Sequence, residues 1–211
     1  MKAGGLRDVL CPRPRALFVG INPGRRSGAL GHHFAGRGNP FWRLLQAVGL
    51  TPRLLAPEED QRLAEHGLAL TNVCPRTTGT AAELSPAEWT RGVRALRRKV
   101  ARLRPRVVCF VGLTAYQRCF GLARSGGPGW KPETLSGAAV FVVPNPSGLN
   151  ASFPGFEHKR VWFQALAEAL SGTGRGSSPG SDPARAGSSP RAARAARRAR
   201  PAPRRARASR G

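Results

Sequence analysis

Gly20-Ile21-Asn22-Pro23-Gly24 and Asn145-Pro146-Ser147-Gly148-Leu149-Asn150 are the two stretches of this chain whose residue types could do chemistry. Each follows an apolar, strand-like run, and each sets an amide ahead of a proline that stiffens the turn. An amide is no general base. It can orient a water or hold an oxygen through hydrogen bonds. Asn22 taken alone equally completes a turn, as Asn-Pro and Pro-Gly pairs often do. The same loops hold almost no carboxylates, although paired acids mark glycoside hydrolases and clustered acids mark metal-dependent phosphoesterases. Amides, glycines and backbone N–H groups suit a phosphate-rich ligand that carboxylates would repel.

The elements that must position these loops read as an α/β fold. Short β-rich apolar runs at 16–20, 67–73, 107–111 and 139–143 alternate with helical patterns, which predicts an α/β fold with a four-stranded, mainly parallel sheet. Asn39-Pro40-Phe41 offers an N-cap with proline at the first helical position, followed by Phe41, Leu44, Leu45 and Val48 on one face. Ser85-Pro86-Ala87-Glu88 is a capping box that opens a helix running to about Leu103, before Pro105. Segments 114–120 and 157–170 supply the remaining helices. Right-handed crossovers carry the loops after parallel strands to one sheet edge, so both motifs should share a rim, beside the Asn72 and Gly112 loops.

Composition sets the bounds. A chain of 211 residues with 40% hydrophobic content suits one domain, 1–171, plus an appendage. Segment 172–211 holds eleven arginines, one acid (Asp182) and no aromatic or large aliphatic residue, and is expected to be a disordered basic tail. Subtracting that tail's net +10 from the total of +24 leaves +14 on the body, so both parts favour a polyanion, nucleic acid above all. No apolar stretch suits a membrane span or a signal peptide, which predicts a cytoplasmic protein, nucleoid-associated in a bacterium or nuclear in a eukaryote. Cys11, Cys74, Cys109 and Cys119 are widely spaced without a C-x-x-C pair and read as reduced structural thiols, with an iron-sulfur cluster as the alternative. His32 and His33 lack a nearby third ligand, so no metal is expected there.

Gly20 to Gly24, Gly31-His32-His33-Phe34, Gly38-Asn39-Pro40-Phe41-Trp42, Leu70-Thr71-Asn72-Val73 and Asn145 to Leu149 together resemble the mismatch-specific uracil/thymine DNA glycosylase family, a branch of the uracil-DNA glycosylase superfamily. The motifs span about residues 8 to 170. The resemblance implies a three-layer α/β/α sandwich around the mainly parallel sheet, and removal of uracil or thymine opposite guanine in double-stranded DNA, by a monomer, without metal or cofactor. By position, Asn22 resembles the catalytic asparagine that orients the attacking water. Phe34 resembles the aromatic that stacks on the extruded base, and Ser27, His33 and Asn72 are the other expected base-binding residues. His33 reads alternatively as a plain loop histidine. Leu149 resembles the wedge that fills the hole left in the stack, with Gly148 and Asn150 reading the orphaned guanine. Ser147 and Thr114 are expected phosphate contacts.

The chain mixes two branches of that resemblance. Asn72 and Gly31-His32-His33 match the thymine-processing branch, whereas Ser27 and the Asn145 to Leu149 loop match the bacterial uracil-processing one. Ala151 stands where the latter has an arginine. A serine near the base C5 position leaves little apolar room for a methyl group, so uracil is the expected preference and thymine or modified cytosine the weaker substrates. No lysine is placed for a Schiff base, which predicts a monofunctional enzyme. A weakly catalytic DNA-damage-binding module and an iron-sulfur glycosylase are the competing readings.

Overall fold

The structure, a computed structural model, describes residues 6–147 and 152–172. Strands β1 (Ala16–Gly20), β2 (Leu68–Asn72), β3 (Val107–Val111), β4 (Gly129–Leu135) and β5 (Ala138–Val143) form one sheet in the order β2-β1-β3-β5-β4. β1 pairs in parallel with β2 and β3, and β3 with β5; β4 alone is antiparallel, against β5. Every residue of β1 and β3 is buried, as continuous apolar runs in a sheet covered on both faces must be.

The sheet therefore has five strands where four were expected. The extra strand reads Gly-Trp-Lys-Pro-Glu-Thr-Leu, and its proline and charges hide it from a search for apolar alternation. Proline is tolerated because β4 is an edge strand, and its pairing with β5 shifts register between Lys131 and Thr134.

Helices α1 (Arg25–Leu30), α2 (Phe41–Ala47), α3 (Pro86–Leu103), α4 (Leu113–Phe120) and α5 (Glu157–Ser171) join two 3-10 segments, Pro57–His66 and Ala81–Glu83. α2 and α5 bury Phe41, Leu45, Phe163 and Leu166 against Phe18, Leu70, Cys109 and Phe141 on one sheet face. α3 and α4 bury Leu96, Val100 and Tyr116 against Leu17, Val19, Val108 and Phe110 on the other. This is the three-layer α/β/α sandwich. The Ser85 capping box forms as expected: the Glu88 N–H donates to Ser85 Oγ (3.3 Å) and the Ser85 N–H to Glu88 Oε2 (2.8 Å). At α2, Asn39 Oδ1 accepts the Phe41 N–H (3.0 Å), but the helix starts at Phe41, so Pro40 precedes its first turn instead of opening it.

The thiols do not converge. Cys109 belongs to the α2–α5 face, while Cys74 and Cys119 lie on the α3–α4 face, where burial pushes both up to about 11. Among the described residues no helix is long and apolar enough to cross a membrane.

Candidate active site

The carboxyl ends of β1, β2, β3 and β5 open onto one cavity of about 400 Å³, which Gly20, Asn22, Asn72, Val111, Asn145 and Ser147 all line. Both loops singled out in the sequence thus reach one site. Parallel pairing of β1, β2, β3 and β5 explains this, since it delivers all four loops to the same edge. Gly112 opens the turn after β3 with φ 100°, and a Cβ there would lie 3.3 Å from that of Asn145, so the third and fourth loops pack through a bare glycine.

The wall of the cavity is amide and hydroxyl. Asn22, Asn39, Asn72, Asn145, Ser27, Thr78, Thr80 and Ser147 line it with Arg25 and Arg26, and no Asp or Glu does so among the described residues. Two-carboxylate hydrolysis has no acids to work with here.

Asn22 is fixed by its surroundings. Its Nδ2 donates to Thr78 Oγ1 at 2.8 Å and to the carbonyls of Pro23 and Arg76 at 3.0 Å each. The Thr78 hydroxyl donates its own proton to the Thr80 carbonyl (2.6 Å), so toward Asn22 it can only accept. Three acceptors around one end of the amide decide which end is nitrogen. The opposite end, Oδ1, takes no hydrogen bond from any described residue and is left as an acceptor of set direction. Thr78 is 3% exposed and its own N–H donates to the Pro23 carbonyl at 3.1 Å, which zips the 76–80 segment onto the Asn22 turn. Sequence reasoning missed Thr78. Its neighbourhood, Arg76-Thr77-Thr78-Gly79-Thr80, is rich in hydroxyls but has no period to mark which one faces the site.

Phe34 has a strained backbone with a legible cause. Its φ of 52° lies in the left-handed region, which is costly for a bulky side chain, by about 1–3 kcal/mol. The residues on both sides are pinned. The His33 N–H donates to buried Asp60 Oδ2 (3.0 Å) and the His33 carbonyl accepts from Trp42 Nε1 (3.2 Å). The Ala35 N–H donates to Ser27 Oγ (3.1 Å), and its carbonyl accepts from Arg26 Nε (2.9 Å). Held between these clamps, the Phe34 ring stacks on Phe41 with centroids 3.9 Å apart and planes 19° from parallel. Phe41 is fully buried, so one face of Phe34 rests on the core while the residue also lines the cavity.

The remaining expected residues divide. Ser27 lines the cavity, but its hydroxyl also closes the 27–35 loop through Ala35. His33 is 2% exposed with Nε2 against the Arg7 carbonyl at 3.0 Å, and burial lowers its pKa, outweighing that carbonyl and Asp60; the ring is held neutral. The Asn72 amide makes no hydrogen bond to a described residue, and its Oδ1 occupies the space above Gly20, where a Cβ would sit 2.4 Å away. The Ser147 N–H donates to Asn145 Oδ1 (3.0 Å) at the rim. Thr114 lies elsewhere. It is exposed on the first turn of α4 and lines a separate groove between α3 and α4, because that turn faces the helix layer instead of the cavity. Gly148, Leu149 and Asn150 lie outside the described residues. Asp60, which no motif flagged, is the buried carboxylate that organises the His32-His33 loop.

A three-layer α/β/α sandwich with a carboxylate-poor, amide-lined cavity at the carboxyl edge of its parallel strands defines the class of protein. The chain belongs to the uracil DNA glycosylase superfamily, whose family model matches residues 7–168. Among solved structures, the solution structure of a candidate uracil DNA glycosylase from Methanosarcina acetivorans is similar in fold, with a TM-score of 0.55 at 19% identity, over 80% of this chain and 98% of that one.

Proposed function

We propose that this chain is a monofunctional DNA glycosylase that flips uracil, and more weakly thymine or a modified cytosine, out of a G-mismatched duplex and hydrolyses its N-glycosidic bond. The locked amide of Asn22 carries this reading. With Nδ2 engaged by three acceptors, Oδ1 holds a water for attack at C1′ of the flipped nucleotide. The amide cannot take that water's proton, so the barrier must fall on the leaving-group side: the pyrimidine departs as an anion, and polar groups around the base share its charge.

Phe34 supplies the stacking face for the extruded base, and the strain in its backbone is the cost of presenting that face. Asn72, whose amide bonds to no described residue, supplies an amide for the pyrimidine edge. Ser27 narrows the wall with a small polar side chain and disfavours the methyl of thymine, a preference of about 10- to 200-fold at most for one methyl. Arg25 and Arg26 at the rim attract the phosphates flanking the flipped nucleotide. Leu149 is assigned the wedge and Gly148 and Asn150 the orphaned guanine, on the sequence resemblance.

A panel of otherwise identical duplexes carrying G·U, G·T, A·U and G·C pairs, cleaved with alkali after incubation at one salt concentration, tests the substrate reading. Abasic sites should form fastest at G·U, more slowly at G·T, and not at G·C. Equal rates at A·U and G·U would remove the mismatch requirement.

A further inference from the structure

α3 carries a row of arginines that the cavity does not use. Its buried residues are Trp89, Gly92, Leu96 and Val100. At 100° per residue, Arg91, Arg94, Arg98 and Arg102 fall on the opposite face, and all are exposed. The row runs about 16 Å in steps of about 4.5–6 Å, within reach of successive phosphates along a strand. None of them has an acidic partner among the described residues. The single acid of α3, Glu88, is taken by Arg76 at 2.6 Å. Beyond the helix end the row continues into Arg104 and Arg13, which with Arg102 line a pocket at the far edge of the sheet.

Charge also fills the flank. The α3–α4 groove is lined by Arg94, Arg97 and Arg118 and by no acid; Arg97 lies over the Phe120 ring (5.9 Å) and Arg118 over Trp89 (5.8 Å). These stacks hold guanidinium groups along the groove without neutralising them.

The direction of α3 separates this surface from the cavity. It crosses over between parallel β2 and β3, so it begins at the cavity edge and ends at the opposite one. Arg102 stands about 24 Å along the axis from Pro86. The cavity thus lies at the end where α3 starts, and Arg98 and Arg102 stand toward the opposite end. The chain's own C-terminal segment is basic and cannot neutralise it.

We infer that the exposed face of α3, Arg91, Arg94, Arg98 and Arg102, binds the phosphate backbone of a second DNA duplex while the first is engaged at the cavity. That this duplex is a second one rests on the glycosylase reading; the basic face itself does not. Such a surface allows direct transfer of the enzyme from one DNA segment to another, because the new duplex is held before the old one is released.

The test uses the full chain. An immobilised G·U duplex is loaded with protein, washed, and challenged with a fluorescent undamaged duplex. Wild type should retain the second duplex. Arg91→Gln/Arg94→Gln/Arg98→Gln/Arg102→Gln should lose that retention, and the slope of log affinity against log salt for the second duplex should fall by about 3 to 4. Uracil release with enzyme in excess should stay within about twofold of wild type. Unchanged retention in the quadruple variant overturns the inference, as does a parallel loss of uracil release, which would make α3 part of one continuous site. Loss of fluorescent polyglutamate binding with duplex retention intact would assign the face to an acidic protein and also overturn it. If wild type releases no uracil yet the quadruple variant alone loses duplex binding, the basic face stands and the glycosylase reading falls.

Discussion

Asn22→Asp is the sharpest probe of the site, because it keeps the shape of the side chain and changes only what it can donate. Nδ2 faces Thr78 Oγ1, the Pro23 carbonyl and the Arg76 carbonyl at 2.8 to 3.0 Å, and all three accept. A carboxylate placed there meets acceptors alone. The neutral acid can still donate to one of them and leave its carbonyl toward the water, as the amide does. Losing that one hydrogen bond on ionisation favours the neutral acid by about 1 kcal/mol. That is a factor of about 5 in the protonation equilibrium, before any cost of burial or of facing the other two acceptors. The pKa of the new acid therefore rises above the ordinary carboxylate range, and the competent form is lost as pH increases. Single-turnover uracil release measured between about pH 5 and pH 8 should show the variant falling by about tenfold or more relative to wild type as pH rises. A variant that instead gains on wild type with pH, as a carboxylate general base would, refutes the acceptor-lined geometry and the water-orienting role together.

Thr78→Val should lower kcat about 5- to 10-fold with little change in KM, while Thr78→Ser restores most of it, since only the hydroxyl is needed. Phe34→Ala should weaken substrate binding by about 1–3 kcal/mol in the stacking term, seen chiefly as a raised KM. Asp60→Ala leaves the buried His33 N–H without its acceptor and should cost about 1–3 kcal/mol, read as a fall in Tm. His33 is held neutral by burial, so its folded pKa lies below its unfolded one. Stability should be full above the unfolded value and decline as pH falls through it toward the folded value; His33→Gln should flatten that acid-side fall in Tm between about pH 7 and pH 5. Removing residues 172–211 should reduce the salt dependence of DNA affinity and leave single-turnover uracil release unchanged.

The parts legible in the sequence are those governed by local pattern. Fully apolar runs placed β1 and β3, and the Ser85-Glu88 box placed the start of α3. β4 was illegible because edge strands accept proline and charge, which are the features that distinguish it from a buried strand. Of the site, the sequence resemblance marked Asn22 and Phe34, and both line the cavity. Its supports were not legible. Thr78 reaches Asn22 across 56 positions of sequence and Asp60 reaches His33 across 27, and neither pairing has a spacing rule. Thr114 lies off the cavity because a helix start after a parallel strand shares the cavity's edge of the sheet but not its side.

The most direct test of the site is uracil release from a single G·U duplex, with enzyme in excess, by wild type and by Asn22→Ala. Loss of the oriented acceptor should slow release about 10²- to 10³-fold while duplex binding holds within a few-fold. Equal release by the two proteins would contradict the assignment of Asn22 and, with it, the chemistry proposed for the cavity.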